Sequence, residues 1–329
     1  TQADVVITEI GGTTGDIESQ HFLEAIRQFA NDVGRKNCVF IHVCLVPYIS
    51  GSDEYKSKPT QHSVAELRGI GIQPDVIVVR SDGEVGEDIR AKIALFCNVP
   101  PENVVSDVTM DCLYETPLAL HANGLDKAVC KALQLKGRAY LADWRKFIYS
   151  VKNAKKEVRI ALVGKYVHLH DAYLSVVEAL KAGGFALGVN VKIEWVDSGK
   201  ITPENEKSVF ENVDGIIIPG GFGDRATEGM IETCRYARVN GVPCLGICLG
   251  MQMMVIEYAR NVAGLKNATS GEFDENGENK VIDLMPDQIN VSRKGGTMRL
   301  GAYPCRLKAG TKIAGAYGEG DISERHRHR

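Results

Sequence analysis

The chain has 329 residues, and at about 150 residues per domain this length predicts two domains. With 44% hydrophobic and 25% charged residues, the composition excludes a collagen-like, coiled-coil or largely disordered chain. A net charge of −3 argues against a protein that coats nucleic acid, because such proteins carry a basic excess. The longest apolar stretches fall well short of the roughly 20 residues that span a bilayer, so we expect neither a nucleic-acid nor a membrane partner.

The start of the chain and its cysteines indicate the compartment. No basic-then-apolar leader opens the sequence, and the nine cysteines form no CxxC pair. We therefore expect a reducing, cytoplasmic location in which most cysteines are small buried hydrophobic residues. Because Thr1 is not an initiator Met and a strand-like run begins at Asp4, we expect the sequence to come from a longer protein.

Strand and helix patterns alternate through the first part of the chain, which predicts βαβ units and a parallel sheet. The predicted strands lie at residues 4–8, 37–46, 75–80 and 103–106. The predicted helices are an apolar face over residues 22–33, a helix opened by a capping box of Ser63 and Glu66, and a helix at 88–97.

The stretch 136–156 is polar and rich in lysine and arginine, and it predicts a linker with one amphipathic helix. It separates a first domain at 1–135 from a second at 157–329. In the second domain the alternation starts again, with strands predicted at 157–163, 189–196, 215–218 and 242–247 and helices at 172–187, 227–239 and 249–263. The predicted fold class is therefore α/β, with two doubly wound parallel-sheet domains.

The sharpest local signal is a cysteine between Gly246 and Gly250, at the junction of a predicted strand and a predicted helix. This pattern is typical of a nucleophile elbow, with Cys248 in place of the usual serine. The helix N-terminus favours negative charge on the sulfur, which is its nucleophilic form. The alternative is a structural cysteine buried between small residues.

A glycine-rich loop that includes Gly220 and Gly221 follows the strand predicted at 215–218. Loops after neighbouring parallel strands meet at the carboxyl edge of the sheet, where ligands bind. We therefore expect the backbone N–H groups of Gly221 and Leu249 to converge as an oxyanion hole. The alternative is a glycine turn selected only for its dihedral angles.

Two segments of the first domain predict a nucleotide site. The run 9–19 combines glycines with carboxylates, which suit Mg²⁺ bridging to phosphate or a carboxylate that grips ribose and base. The run 56–61 places two lysines and two hydroxyl groups just before a helix N-terminus, which suits a triphosphate. The alternatives are a turn with a helix N-cap at Asp16 or Ser19 for the first run, and a solvated charged loop for the second.

These motifs carry a resemblance to known enzymes. The cysteine elbow and its glycine loop resemble the class I glutamine amidotransferase domain. Segments 9–19, 56–61, 92–99, 163–166, 219–223, 246–252, 295–301 and 324–329 follow one another as in the CTP synthase family, which the sequence resembles over essentially its whole length. The resemblance implies a P-loop-like synthetase part at the N-terminal side, incomplete here, followed by a class I glutamine amidotransferase domain.

The resemblance also implies a role for individual residues, with Cys248 as the catalytic nucleophile. The implied glutamine-binding residues are Gly220, Gly221, Leu249, Gly250, Met251, Gln252, Glu272 and Arg329. The implied UTP/CTP-binding residues are Asp16, Ile17, Glu18, Lys56, Ser57, Lys58, Pro59, Thr60, Gln61 and Lys92. Arg80 and Met110 match the ATP side, Glu9 matches a Mg²⁺ ligand, and Arg225 matches the GTP side. The segment 295–301 matches a lid between the two sites.

The implied reaction is ATP-dependent amination of UTP to CTP with ammonia released from glutamine. The resemblance implies Mg²⁺ as cofactor, GTP as activator, CTP as feedback inhibitor, and a homotetramer that stacks into filaments. The family's His-Pro-Glu segment, which activates the cysteine, and its glycine-rich ATP loop do not occur in the printed sequence. We therefore expect this segment to be inactive by itself and the parent protein to be an active synthase.

Two other classes of function stay open from sequence. One is a glutaminase that feeds ammonia to a different acceptor, and the nucleotide segments at 9–19 and 56–61 argue against it. The other is a non-catalytic nucleotide-sensing or filament-forming relative, and the strained cysteine elbow argues against that. His168 and His170 are spaced like a metal pair, but no third ligand accompanies them, so we expect no metal site there.

Overall fold

A computed structural model describes residues 3–285, 299–318 and 320–327. The contacts within the chain divide it into two compact units, Thr1–Tyr149 and Ser150–Arg329. The division falls inside the stretch 136–156, where the composition becomes polar. No helix in these described ranges combines the length and apolar character needed to cross a lipid bilayer.

The first unit contains five strands and six α-helices among its described residues, and the last of these helices runs across the division into the second unit. The strands are β1 (Ile41–Leu45), β2 (Tyr48–Ile49), β3 (Glu54–Tyr55), β4 (Val76–Ser81) and β5 (Val104–Val108). The helices are α1 (Gln20–Val33), α2 (Lys58–Gly69), α3 (Glu87–Cys97), α4 (Thr116–Ala122), α5 (Leu125–Ala132) and α6 (Ala142–Lys152).

The core of the first unit is a parallel sheet in the order β1-β4-β5, with helices on both faces. Val64 of α2 and Ile93 of α3 pack against Ile77 on one face. Ala128 of α5 packs against Val76 on the other face. Because neighbouring residues of a strand point to opposite faces, β4 is buried along almost its whole length.

The second unit contains eight strands and five further α-helices among its described residues. The strands are β6 (Lys156–Gly164), β7 (Val189–Asp197), β8 (Gly215–Ile218), β9 (Cys244–Gly246), β10 (Ala268–Ser270), β11 (Asn279–Ile282), β12 (Arg299–Arg306) and β13 (Asp321–Arg327). The helices are α7 (Leu174–Leu187), α8 (Glu206–Phe210), α9 (Thr227–Asn240), α10 (Leu249–Asn261) and α11 (Lys312–Tyr317).

The core of the second unit is a parallel sheet in the order β7-β6-β8-β9. Val177 of α7 packs with Leu162 on one face, whereas Met230 of α9 and Met253 of α10 pack with Ile218 on the other. Both units therefore have helices on both faces of a parallel sheet, and the predicted α/β fold class is confirmed. The strand order reverses between β6 and β8, which opens a crevice at the carboxyl ends of these strands.

Two of the predicted elements are wrong. Residues 4–8 form no strand, and Ile7 is 92% exposed, because the described sheet ends at β1, which pairs with β4 alone. Helix α2 does not open at the capping box of Ser63 and Glu66. It begins at Lys58 with Pro59 in its first turn, where the fixed φ of proline suits a helix start.

The strand predicted at 37–46 exists, but it is shorter and is buried on one face only. Its regular part is β1, in which Cys44 is buried against α2 and α3. Val43 and Leu45 are 59% and 62% exposed, because they point to the opposite face and no described helix covers them. An apolar strand pattern therefore did not reveal which face was covered.

Adjacent glycines in α7 provide a direct test of this packing. A Cβ on Gly184 would lie 2.6 Å from Cγ2 of Val191 and 2.9 Å from the carbonyl oxygen of Val189, whereas a Cβ on Gly183 would meet nothing within 4 Å. We expect Gly184→Ala to lower the free energy of unfolding by about 1–3 kcal/mol through overpacking. Gly183→Ala should raise it by about 0.5–1 kcal/mol, because alanine is the better helix former. Urea unfolding of both variants tests this, and equal effects would contradict the packing of α7 on β7.

Candidate active site

Cys248 lies at the turn between β9 and α10, directly before the first residue of the helix. Its backbone has φ 53° and ψ −108°, in the positive-φ range that residues with a side chain avoid. Such a conformation costs about 1–3 kcal/mol and persists only where the surroundings hold it. Cys248 is one of two exposed cysteines, the other being Cys305.

The two glycines that flank the cysteine are required by close backbone contacts. A Cβ on Gly250 would overlap the carbonyl oxygen of Ile218 in β8. A Cβ on Gly246 would lie 2.5 Å from the backbone nitrogen of Met251. The strand end and the helix start therefore approach more closely than any other residue type allows.

The glycine-rich loop after β8 lies against this turn. A Cβ on Gly220 would stand 3.4 Å from Cβ and 3.9 Å from Sγ of Cys248, and one on Gly221 would stand 3.2 Å from Cδ2 of Leu249. The structure therefore brings Gly220, Gly221, Cys248 and Leu249 together at the carboxyl edge of the sheet. The backbone N–H of Leu249 belongs to the first turn of α10, where amides lack helical partners.

A buried lysine in segment 163–166, to which the sequence analysis assigned no role of its own, supports this loop from the neighbouring strand. Lys165 follows β6 and is only 4% exposed, and its Nζ donates to the carbonyl oxygens of Phe222, at 3.0 Å, and Gly223. Burial lowers the pKa of Lys165, and the charge of Arg225 lowers it further. Arg225 donates through Nη2 to the carbonyl oxygen of Lys165 at 3.1 Å. Only the fold, which makes β6 and β8 neighbours, reveals this contact.

The remaining residues with an expected glutamine contact lie around the same turn. Oε1 of Glu272 accepts a hydrogen bond from the backbone N–H of Gly223 at 3.0 Å, so this carboxylate reaches the glycine-rich loop from a distant segment. Met251 is exposed and Gln252 is half-buried, both in the first turn of α10. Arg329 and most of the segment 295–301 lie outside the described residues.

In the first unit, several expected nucleotide contacts follow the carboxyl ends of the sheet strands. Lys56 comes after β1, and its Nζ forms an ion pair with Glu54. Lys92 lies close enough for its charge to help lower the pKa of Glu54, although the hydrogen bond from Lys56 has the larger effect. Arg80, near the end of β4, pairs through Nη1 with Oδ2 of Asp107 at 3.1 Å. Met110 follows β5 and is half-buried.

The first turn of α2 holds the other residues of the 56–61 run. Ser57 and Thr60 are buried, and Ser57 Oγ accepts a hydrogen bond from Nε2 of Gln61 at 3.0 Å. Lys58 and Pro59 are exposed. One hydroxyl and both lysines therefore lie near a helix start, while the second hydroxyl, that of Thr60, faces Leu45 of β1 at 3.4 Å.

The 9–19 loop is closed by its own side chains. Oδ2 and Oδ1 of Asp16 accept hydrogen bonds from N and Oγ1 of Thr13, both at 2.7 Å, and these bonds lower the pKa of Asp16. The sequence treats Asp16 as a ligand contact, whereas here it also holds the loop in shape. Glu9, Ile17 and Glu18 are exposed.

The same loop is linked to α2 and β1 by a chain of polar side chains. Thr14 Oγ1 lies 3.3 Å from Oγ of Ser63, which in turn lies 2.9 Å from Nε2 of His42. Burial lowers the pKa of His42. Ser63, misread as a helix cap, therefore joins the loop to the sheet.

No three His, Cys, Asp or Glu side chains come together as metal ligands in the part of the chain that the structure describes. Nε2 of His168 lies 3.6 Å from Oδ2 of Asp197. The ring of His170 stacks on that of Trp195, with 4.0 Å between the ring centroids.

The comparisons with known proteins agree with both units. Residues 1–135 match the CTP synthase N-terminus family, and residues 168–329 match the glutamine amidotransferase class-I family. CTP synthase of Clostridium acetobutylicum is 56% identical over 99% of this chain and 61% of its own length. CTP synthase of Listeria innocua is 52% identical over 100% of this chain and 62% of its own. A solved structure described as Trypanosoma brucei CTPS, glutaminase domain with bound acivicin, is 36% identical with a TM-score of 0.48, covering 52% of this chain and 67% of that one.

The two family matches define a class I glutamine amidotransferase domain that follows a CTP synthase N-terminal domain. The chain belongs to the CTP synthase family. It spans about three fifths of the length of the curated relatives it matches.

Substitution of His42 tests the polar chain beneath the 9–19 loop. The pKa of His42 in the folded protein lies below the ordinary 6.5, so the unfolded chain takes up a proton more readily than the folded one. The contribution of neutral His42 to stability is therefore complete above pH 6.5 and is lost as the pH falls through the folded-state pKa. We expect His42→Gln to flatten this loss, since glutamine does not titrate. The exposed His62→Gln, one residue from Ser63, should leave it unchanged. Thermal unfolding across this pH range decides, and equal slopes for His42→Gln and wild type would contradict the burial of His42.

The strain at Cys248 predicts an unusual order of stability. Cys248→Gly should unfold with a free energy about 1 kcal/mol larger than Cys248→Ala, because glycine adopts positive φ without steric cost. Thermal unfolding of the two variants measures this. A more stable alanine variant would mean that the turn is not strained.

Proposed function

We propose that the full-length protein is a glutamine-hydrolysing CTP synthase, which aminates UTP at the expense of ATP. The observation that carries this proposal is the position of Cys248. It occupies a strained turn, and its Sγ would lie 3.9 Å from a Cβ added to Gly220 of the glycine-rich loop. The same chain also matches the CTP synthase N-terminus family. Because the chain spans about three fifths of its relatives, the activity is proposed for the whole protein.

In the second unit, Sγ of Cys248 attacks the side-chain amide carbon of glutamine. As the C–S bond forms, the amide oxygen gains negative charge, and the backbone N–H groups of Gly221 and Leu249 are the donors we assign to it. The C–N bond then breaks as the nitrogen takes up the proton that the thiol gave up, and ammonia leaves a glutamyl thioester on Cys248. Water hydrolyses the thioester, which releases glutamate and restores the thiol.

Glutamine itself is held by residues around the turn. Oε1 of Glu272 accepts a hydrogen bond from the backbone N–H of Gly223. We assign the other carboxylate oxygen of Glu272 to the α-ammonium group of glutamine. Gly250, Met251 and Gln252 border the substrate from the first turn of α10. Arg329 is proposed, from the family resemblance, to contact the α-carboxylate.

In the first unit, we propose that UTP and the inhibitor CTP share one site. The ammonium groups of Lys56, Lys58 and Lys92 offset the charge of the triphosphate, and the α2 N-terminus adds its positive dipole end. The remaining proposed contacts are Asp16, Ile17 and Glu18 for the pyrimidine and ribose, and Ser57, Pro59, Thr60 and Gln61 for the phosphates. Arg80 and Met110 are proposed for the ATP side.

The acceptor chemistry follows from the poor leaving group on UTP. Transfer of the γ-phosphoryl group of ATP to the 4-oxygen of UTP breaks the bond between the γ-phosphorus and the bridging oxygen, releases ADP and converts the 4-oxygen into part of a phosphate ester. Ammonia attacks C4, the C–O bond breaks, and inorganic phosphate leaves with the oxygen while CTP is formed. Lys56 and Lys92 carry positive charge beside the anionic nucleotides throughout.

Mg²⁺ is normally held by one or two carboxylates together with nucleotide phosphates. The exposed carboxylate of Glu9 fits that pattern only with a nucleotide bound, since no three ligands converge among the described residues. The ion would neutralise phosphate charge. Activation by GTP, with Arg225 as a contact, inhibition by CTP, a filament-forming homotetramer and a cytoplasmic location complete the proposal on the family resemblance.

Replacement of the nucleophile separates the two half-reactions. In the full-length protein, Cys248→Ala should lower glutamine-dependent CTP formation by more than about 10³-fold, because no thioester can form. CTP formation from ammonium should stay near the wild-type rate. The absorbance change from UTP to CTP measures both, and Cys305→Ala, which removes the other exposed thiol, is the matched control.

The outcomes discriminate between the candidate functions. CTP from ammonium alone in the wild type would mean that the amidotransferase unit is degenerate. Glutamate production without CTP from either donor would indicate a glutaminase that serves another acceptor. Neither activity would favour a nucleotide-sensing or filament-forming protein.

A further inference from the structure

We propose that Lys165 is a positioning residue for glutamine hydrolysis, whose ammonium group holds the glycine-rich loop beside Cys248. This inference rests on the proposed glutaminase function of the second unit. Lys165 contacts residues 221–223 of the loop, so its role is exerted through the backbone of these residues.

The placement of Lys165 follows from the strand order. It is the first residue after β6, and β6 pairs in parallel with β8, so the residues that follow both strands share one edge of the sheet. A Cβ on Gly221 would stand 3.4 Å from Cδ of Lys165. The aliphatic stem therefore lies beside the glycine whose N–H we assign to the oxyanion.

The end of the side chain satisfies the carbonyl oxygens of the loop. Nζ of Lys165 donates to the oxygen of Phe222 at 3.0 Å and also to that of Gly223. Residues 219–222 form no helix or strand, so sheet hydrogen bonds do not fix them. Hydrogen bonds that involve a charged group are worth roughly 1.5–3 kcal/mol, which is enough to select one loop conformation.

The frame around Lys165 is itself fixed. Its backbone N–H donates to the hydroxyl oxygen of Tyr173 at 3.1 Å, and its carbonyl oxygen accepts from Arg225. On the other side of the loop, the N–H of Gly223 donates to Glu272. Lys165 and Glu272 therefore hold opposite backbone groups of the same loop, and removal of the ammonium group takes away the hydrogen bonds on one side of it.

A lysine is a costly choice for this place. Burial lowers the pKa of Lys165, because removing the ammonium group from water costs free energy. This desolvation offsets part of the stabilisation from its hydrogen bonds. A neutral donor would have satisfied one carbonyl at lower cost. The ammonium group has three N–H donors, and it can hold two adjacent carbonyls from one point.

The consequence for catalysis is set by geometry. An oxyanion donor must lie about 2.7–3.1 Å from the developing charge, and a displacement of about 1 Å costs on the order of 10²-fold in rate. Lys165→Met keeps the apolar stem and removes both hydrogen bonds. We expect kcat for glutamine hydrolysis to fall about 10- to 100-fold, with KM changed less than about threefold, because the groups that bind glutamine remain.

The experiment uses the full-length protein and three readouts. Glutamate release gives kcat and KM, ammonium-dependent CTP formation reports the first unit, and mass spectrometry follows alkylation of Cys248 by iodoacetamide. Alkylation requires no oxyanion hole, so Lys165→Met should react at the wild-type rate. Lys165→Arg, which keeps a cation, should recover part of the lost kcat. Lys181→Met, which removes an α7 lysine paired with Glu178, is the charge-matched control and should behave as wild type.

A wild-type kcat in Lys165→Met, a change in KM alone, or an equal loss in Lys181→Met would overturn the inference. If Lys165→Met does not fold, Lys165→Gln replaces it, since its shorter side chain does not reach both carbonyls and the same fall in kcat is expected. Wild-type protein that hydrolyses no glutamine overturns the proposed function together with this inference. Wild-type protein with full activity and a fully active, folded Lys165→Gln overturns the inference alone.

Discussion

The second unit depends on one close contact, in which the backbone of α10 at Gly250 lies against the carbonyl oxygen of Ile218 at the end of β8. Only glycine permits this approach. The contact sets the helix against the sheet, and it therefore determines where the residue before the helix must stand. Cys248 is placed beside the loop that continues β8, with its backbone in a conformation that it would not adopt alone. The proposed nucleophile, the loop and the first amides of the helix are thus brought together by backbone packing.

In both units the residues proposed to act on substrates lie near the ends of parallel strands, but the contacts of these residues differ. In the second unit the loop is held by a buried cation on one side and a carboxylate on the other, and the cysteine between them is exposed. In the first unit two of the expected cations are already paired: Lys56 with Glu54, and Arg80 with Asp107. A triphosphate must compete with Glu54 for Lys56. The Lys56–Glu54 pair is exposed, and exposed pairs contribute little to stability, so a polyanion displaces Glu54 at little cost.

The sequence predicted long periodic elements well and failed where the decisive partner is far along the chain. The strand at β8 and the helices α1, α3, α9 and α10 have strong local patterns, and they were found. The run at 4–8 has a strand pattern but no described partner, and Ser63 with Glu66 fits a capping box that Pro59 pre-empts. Lys165 is 57 residues from Phe222, and a lysine after a strand reads as a surface charge until the sheet order is known. The elbow itself was predictable because its glycines and cysteine lie within five residues.

The energetics explain why the strained turn persists. Strain at Cys248 costs about 1–3 kcal/mol, and its exposed side chain gains little from burial. The packing of helix α10 offsets this strain, because Leu249, Met253 and Ile256 are almost completely buried. Burial of each of these side chains stabilises the fold by about 1.5–3 kcal/mol. The helix cannot dock these residues without fixing the turn that precedes it. Stability is therefore supplied by the apolar face of the helix, while the proposed nucleophile before its first residue stays exposed.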